Sequence, residues 1–212
     1  MQRPKPKIAI FASGRGSNAE ALMHAFERDF LPAQLALVFS NKPQAAVLEL
    51  ATKHGYPCAC IPNEGHSRQA HEGLVLETLK QAEIDHVVLA GYMRILTPEF
   101  LNGFKSQGGD AIINIHPSLL PDFPGLHSIE RQHEAGVVVA GATVHHVIDQ
   151  VDAGPIILQG SLEVRGDESI EELGRRIREE VEHFLYPRAL RLFLDRRYAE
   201  KSQSPQNQKA LL

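Results

Sequence analysis

Asn114 and His116 stand two residues apart in the run NIHPSLLP. A side-chain amide beside an imidazole can polarise a carbonyl and move a proton. In an extended strand, residues i and i+2 share a face, so Asn114 and His116 lie together while Ile113 and Ile115 pack on the other side. Pro117 and Pro121 remove backbone donors and end the strand. The pair therefore falls at a strand's C-terminal edge, where open α/β sheets put their ligands. A hydrogen-bonded histidine with no catalytic duty would fit the same position.

A second polar group follows in GATVHHVIDQVDAGPII, where a strand carrying His145 and His146 leads to a loop with Asp149 and Asp152. If this strand neighbours the first, Asp152 can reach His116 and favour the charged imidazole. Aspartates in turns also serve purely local hydrogen bonds. A third group, SGRGSN from Ser13 to Asn18, joins the first strand to the first helix. Free N–H groups of Gly16, Ser17 and Asn18 at a helix start form an anion site, although a glycine turn needed only for packing would look alike. A dinucleotide fingerprint needs a third glycine and an acid ending strand two. Asn18 and the Ser40-Asn41 pair occupy those places, which argues against NAD. No metal is expected, because His145 and His146 face opposite ways on a strand and no ligand trio has a familiar spacing. The chain has no G-x-S-x-G, and Ser118 lacks an evident activating base.

These groups need a scaffold, and the pattern supplies one. Strand-length apolar runs KIAIFAS, QLALVFSN, CACIP, HVVLAGY, AIINIH, ATVHHVI and PIILQGSLEV alternate with helical segments, which predicts βαβ units and a mostly parallel, Rossmann-like sheet flanked by helices. The first helix is predicted to bury Ala21, Leu22, Ala25 and Phe26, with Ser17 or Asn18 as its cap. A later helix would bury Ala70, Leu74, Leu79 and Ala82. The segment from Asp167 to Phe193 reads as one long helix, with Ile170, Leu173, Ile177, Val181 and Leu185 inward and a bend at Pro187. Between HVVLAGY and NIHP the path runs through MRILTPEF and LNGFKSQGGD, with no room for a full helix after a turn at Gln107 to Gly109, and irregular backbone is expected there.

With 212 residues, one catalytic domain over 1–200 and a polar, mobile tail over 201–212 are expected. A net charge of −4 disfavours nucleic acid as a partner. Cys58 and Cys60 match neither a redox nor a zinc spacing. No membrane span or apolar signal core is evident, so the cytoplasm is the expected compartment.

Taken in order, SGRGSN, LAGYMRIL, NIHPSLLP, FPGLH, TVHHVIDQVDAGPI and EHFLYP resemble the phosphoribosylglycinamide formyltransferase family of purine biosynthesis, over nearly the whole chain. The resemblance implies formyl transfer from 10-formyltetrahydrofolate to the amino group of glycinamide ribonucleotide, without metal or a covalent enzyme intermediate. Asn114, His116 and Asp152 would be catalytic. Gly16, Ser17 and Asn18 would receive the phosphate, and Glu182 the ribose hydroxyls. Arg68 and Met93, Arg94, Ile95 and Leu96 match folate-binding positions, together with Asn114 and Asp152, and the loop from Val147 to Asp152 would close over the folate. The protein would work as a monomer or homodimer.

Two departures stand out. FKSQGGDAIIN is longer than the family's usual approach to the catalytic strand, and Glu179 takes a place near the phosphate where many relatives have Lys or Gln. The rivals are a methionyl-tRNA formyltransferase, which would carry an added RNA-contacting domain and a basic surface, and a phosphate-binding module without catalysis.

Overall fold

The computed structural model describes residues 4–104 and 111–203. Seven strands form one sheet in the order β3-β2-β1-β4-β5-β6-β7. They are β1 (Lys7–Phe11), β2 (Gln34–Ser40), β3 (Cys58–Cys60), β4 (His86–Leu89), β5 (Ile112–His116), β6 (Val139–His146) and β7 (Ile156–Glu163). The strands β3 through β5 pair in parallel, while β6 runs antiparallel to β5 and β7 antiparallel to β6.

The inner strands are apolar on both faces because both faces are covered. Along β1, Ile8 and Ile10 enter one core with Leu22, Met23 and Tyr186. Ala9 and Phe11 enter the other with Val75, Leu79 and Phe100. Helices α1 (Ser17–Glu27), α2 (Ala46–Lys53) and α7 (His183–Gln203) contribute to the first layer, and α3 (Arg68–Gln81) and α4 (Pro98–Gly103) to the second. Helices α5 (Ser128–Glu134) and α6 (Ile170–Arg176) are the other α-helices among the described residues. The strand order reverses between β1 and β4, which makes the crevice at their C-terminal ends the natural ligand position.

Several helical faces depart from the predicted ones. Helix α1 buries Ala19, Leu22, Met23 and Ala25, and its cap is Gly16 at φ 84° with no side-chain cap bond, not Ser17 or Asn18. Helix α3 buries His71, Glu72, Val75 and Leu79, and Leu74 is 40% exposed. Polar partners explain the shift in α3: His71 Nε2 meets the Ile61 carbonyl at 2.8 Å, and Glu72 accepts from Thr97 N at 3.2 Å. A pattern built from apolar residues alone cannot register a buried glutamate.

Helix α4 lies ahead of the expected Gln107 to Gly109 turn, which falls outside the described residues. Thr97 caps it by accepting from Phe100 N at 3.1 Å, and Pro98 opens it, the favoured arrangement at a helix start. The late helical segment does bury Leu173, Ile177, Val181 and Leu185. Its irregularity lies one turn ahead of Pro187, as a π-helical turn over Ile177–Glu182. Helix α7 reaches Gln203. The rest of the expected tail, and the lengthened run over 105–110, lie outside the described residues.

Candidate active site

The antiparallel pairing sets Asn114 opposite His145 and His116 opposite Thr143, so side chains from β5 and β6 meet at one edge. Asn114 Nδ2 lies 3.3 Å from His145 Nε2. Asp152 completes the chain, with Oδ1 3.5 Å from His145 Nε2 and Oδ2 3.2 Å from His116 Nδ1. Gly125 N also donates to Asp152 Oδ2, at 2.8 Å. Burial alone would raise the Asp152 carboxyl, but the His145 contact, the Gly125 bond and the charges of His116 and His145 outweigh it and hold it below the ordinary 3.8. The other ring nitrogen, His116 Nε2, sits 2.9 Å from the Phe123 carbonyl. Both nitrogens of His116 thus face oxygen acceptors.

The loop geometry behind this contact is specific. Asp152 and Phe123 both adopt left-handed backbone, at φ 54°, a conformation that costs non-glycine residues energy and collects at functional sites. Gly154 keeps the aspartate turn closed, because a Cβ there would sit 1.8 Å from the His146 carbonyl oxygen. His146 N donates to the Pro155 carbonyl at 2.9 Å. The Asp-Ala-Gly-Pro sequence thus encodes a turn that only glycine at its third position permits.

At the other end of the crevice, Gly16 holds φ 84° and a Cβ on it would meet Val47 at 2.7 Å. The N–H groups that open α1 have no acceptor within the helix. A cavity of about 470 Å³ adjoins this turn, lined among others by Arg15, Ser17, Lys53 and Arg178. Asn18 Nδ2 donates to Glu182 Oε2 at 2.8 Å, while Asn18 Oδ1 is buried without a hydrogen-bond partner. Burial pushes the Glu182 carboxyl up, against the Asn18 bond and the nearby Arg178. Glu179, the acid expected to repel a phosphate, accepts from Arg175 Nη1 at 2.9 Å, which neutralises part of its field.

A third wall comes from the segment between β4 and α4. Met93 N donates to Ser13 Oγ at 2.9 Å, and Ser13 Oγ donates to Asn41 Oδ1 at 2.6 Å, so one hydroxyl ties the ends of β1 and β2 to this segment. Arg68 donates to the Ile95 carbonyl, and Glu72 accepts from both Thr97 N and Thr97 Oγ1. Met93 and Ile95 are 71% and 59% exposed while Leu96 is buried, which leaves apolar side chains and backbone at the mouth of the crevice. Arg94 belongs to the same segment.

The structure therefore brings Asn114, His116 and Asp152 into one cluster, Gly16, Ser17, Asn18 and Glu182 into a second, and Arg68 against Ile95 in a third. Sequence reasoning placed His145 in the second polar group without setting it beside Asn114, and it gave no part in the site to Ser13, Asn41 or Glu72. His145 was legible in principle, since antiparallel pairing of the two strands aligns it with Asn114. It also missed a group on α1 and α2: ligand atoms of Glu20, His24 and His54 all lie within 4.8 Å of one another. Spacing along the chain hides that group, because His54 follows a different helix.

The chain matches the formyl transferase family over residues 6–190. It is 40% identical over 189 residues to the phosphoribosylglycinamide formyltransferase of Bacillus subtilis, covering 89% of this chain and 94% of that protein. It is 38% identical to the trifunctional purine biosynthetic protein adenosine-3 of Drosophila pseudoobscura pseudoobscura, covering 98% of this chain and 15% of that one. Among solved structures, glycinamide ribonucleotide transformylase 1 from Symbiobacterium toebii superposes with a TM-score of 0.86 at 39% identity, over 92% of this chain and 90% of that one.

Proposed function

Because the chain belongs to the formyl transferase family, we propose that it performs the reaction its relatives are named for: transfer of formyl from 10-formyltetrahydrofolate to the amino group of glycinamide ribonucleotide, in purine biosynthesis. The chemistry asks for little covalent participation by the protein. Attack of an amine on a formyl carbonyl makes a negative oxygen and a positive nitrogen, and preorganised charge and donors lower that barrier.

Asn114 Nδ2 is the donor for the developing oxyanion, placed by its strand 3.3 Å from His145 Nε2. Asp152 supplies the negative charge that keeps His116 suited to electrostatic stabilisation and to proton donation toward the departing folate nitrogen. The incoming amine loses one proton to water held at this cluster, and the folate nitrogen gains one, so the protons balance. His116 Nε2 bonds to the Phe123 carbonyl at 2.9 Å. Direct donation to a substrate atom therefore requires that bond to be exchanged, and electrostatic action does not.

The remaining groups suit the two substrates. A phosphate fits the N–H groups of Gly16, Ser17 and Asn18 at a helix start. Ribose hydroxyls, which both donate and accept, fit Asn18 Oδ1, which lacks a partner, and the Glu182 carboxyl beside it. A flat heterocycle fits the backbone of Met93, Arg94, Ile95 and Leu96, with Arg68 bracing that segment and the loop from Val147 to Asp152 opposite. The observation that carries the reading is the connected set Asn114, His145, Asp152 and His116 at the sheet edge.

The test is incubation of the purified protein with 10-formyltetrahydrofolate and glycinamide ribonucleotide, followed by the folate's absorbance change. Change that requires the ribonucleotide supports the reading. Change without acceptor would make the protein a formylfolate hydrolase, and no change with either ligand bound would make it a binding module.

A further inference from the structure

We infer that Glu20, His24 and His54 form a binding site for a borderline divalent cation of the Zn²⁺ class, with Glu27 orienting both imidazoles, on the seam between α1 and α2. Glu20 and His24 stand four residues apart on α1, the spacing that puts side chains on one helical face. His54 reaches the same place from the C-terminal end of α2. One potential ligand atom from each of the three lies within 4.8 Å of the others.

More than proximity supports the site. Glu27 Oε1 contacts His54 Nδ1 at 2.6 Å, and Glu27 Oε2 contacts His24 Nδ1 at 3.0 Å. A carboxylate on one ring nitrogen fixes the tautomer and aims the other nitrogen, which is the usual outer partner of a metal-binding histidine. Here one carboxylate does so for two rings, whose centroids are 5.1 Å apart at 77°. His54 is largely covered, at 13% side-chain exposure, while His24 at 46% leaves an entry path.

The donor set selects the ion. Two imidazoles and a carboxylate suit Zn²⁺ and its neighbours, whereas Mg²⁺ and Ca²⁺ prefer oxygen shells. With metal–ligand bonds of about 2.0–2.2 Å, the side chains must close from their present separation, and the exposure of His24 allows that. The ion would link α1, which Gly16 caps and Ser17 and Asn18 open, to the end of α2. It would act as a brace apart from Asn114 and His116.

The experiment is calorimetric titration of tag-free full-length protein with ZnCl₂, for the wild type and for His24→Ala, His54→Ala and Glu27→Gln. One Zn²⁺ per chain is expected, with affinity falling more than about tenfold in either histidine variant and about 10–100-fold in Glu27→Gln. MgCl₂ should give no comparable binding. A zinc-dependent rise in melting temperature should appear in the wild type and vanish in the histidine variants, whose circular dichroism and formyl transfer without zinc should match the wild type. Undiminished Zn²⁺ binding by both histidine variants would assign the ion to other histidines, such as His116 and His145, and would overturn the proposal. So would failure of the wild type to bind Zn²⁺ at micromolar concentrations.

Discussion

His116 is held at both ring nitrogens, by Asp152 at 3.2 Å and by the Phe123 carbonyl at 2.9 Å, so its orientation is fixed before any substrate arrives. Fixed orientation is what makes a single imidazole effective in a transition state. His116→Ala is expected to lower kcat by about 10²–10⁴-fold while the dissociation constant for the folate changes little; turnover and equilibrium binding, measured separately, check this. Asp152 makes a second prediction through pH. Its folded pKa lies below the ordinary 3.8, so its contribution to stability is fully present above that value and is lost as pH falls through the folded value. Asp152→Asn should remove that part of the acid limb, seen as a shallower loss of stability below about pH 4 in urea melts of mutant and wild type.

At the scale of elements, the segment between β4 and α4 owes its position to α3. Glu72 is buried and accepts two bonds from Thr97, and Arg68, one turn earlier, holds Ile95. Glu72→Gln retains one acceptor and loses the charge. It is expected to raise KM for the folate by about tenfold, equivalent to about 1.4 kcal/mol, with kcat and ribonucleotide KM little changed; steady-state kinetics in each substrate would show it. The strands carrying Asn114, His116 and His145 were legible because their apolar residues alternate with polar ones or form short uninterrupted runs. Glu72 was not, since its burial depends on Thr97, which lies 25 residues away. The face of α3 slipped for the same reason: long-range hydrogen bonds from His71 and Glu72 bury polar groups that local periodicity assigns to solvent. The two polar loops were readable as chemistry, whereas the use of His145 between Asn114 and Asp152 depended on a strand pairing that the chain order leaves open.

Across the whole molecule, one side chain joins the late helix to the middle of the sheet. Tyr186 is fully buried and its hydroxyl donates to the Leu89 carbonyl at 2.7 Å, with the Ile113 carbonyl at 3.4 Å. Tyr186→Phe keeps the ring and leaves that carbonyl without the hydroxyl, so a loss of about 1–2 kcal/mol is expected, measurable by urea unfolding with unchanged m. The Asn18 to Glu182 bond spans 164 residues, and that span orders events during synthesis. As the polypeptide leaves the ribosome, β1 and the glycine turn emerge first, yet Glu182, the carboxyl proposed for the ribose hydroxyls, emerges only after all the described strands have been made. On that proposal, a nascent chain cannot hold the ribonucleotide as the finished one would. Once Glu182 and Tyr186 have docked, a ribonucleotide bound as proposed would favour the completed fold over its precursors, and the substrate would double as a late quality check on its own enzyme.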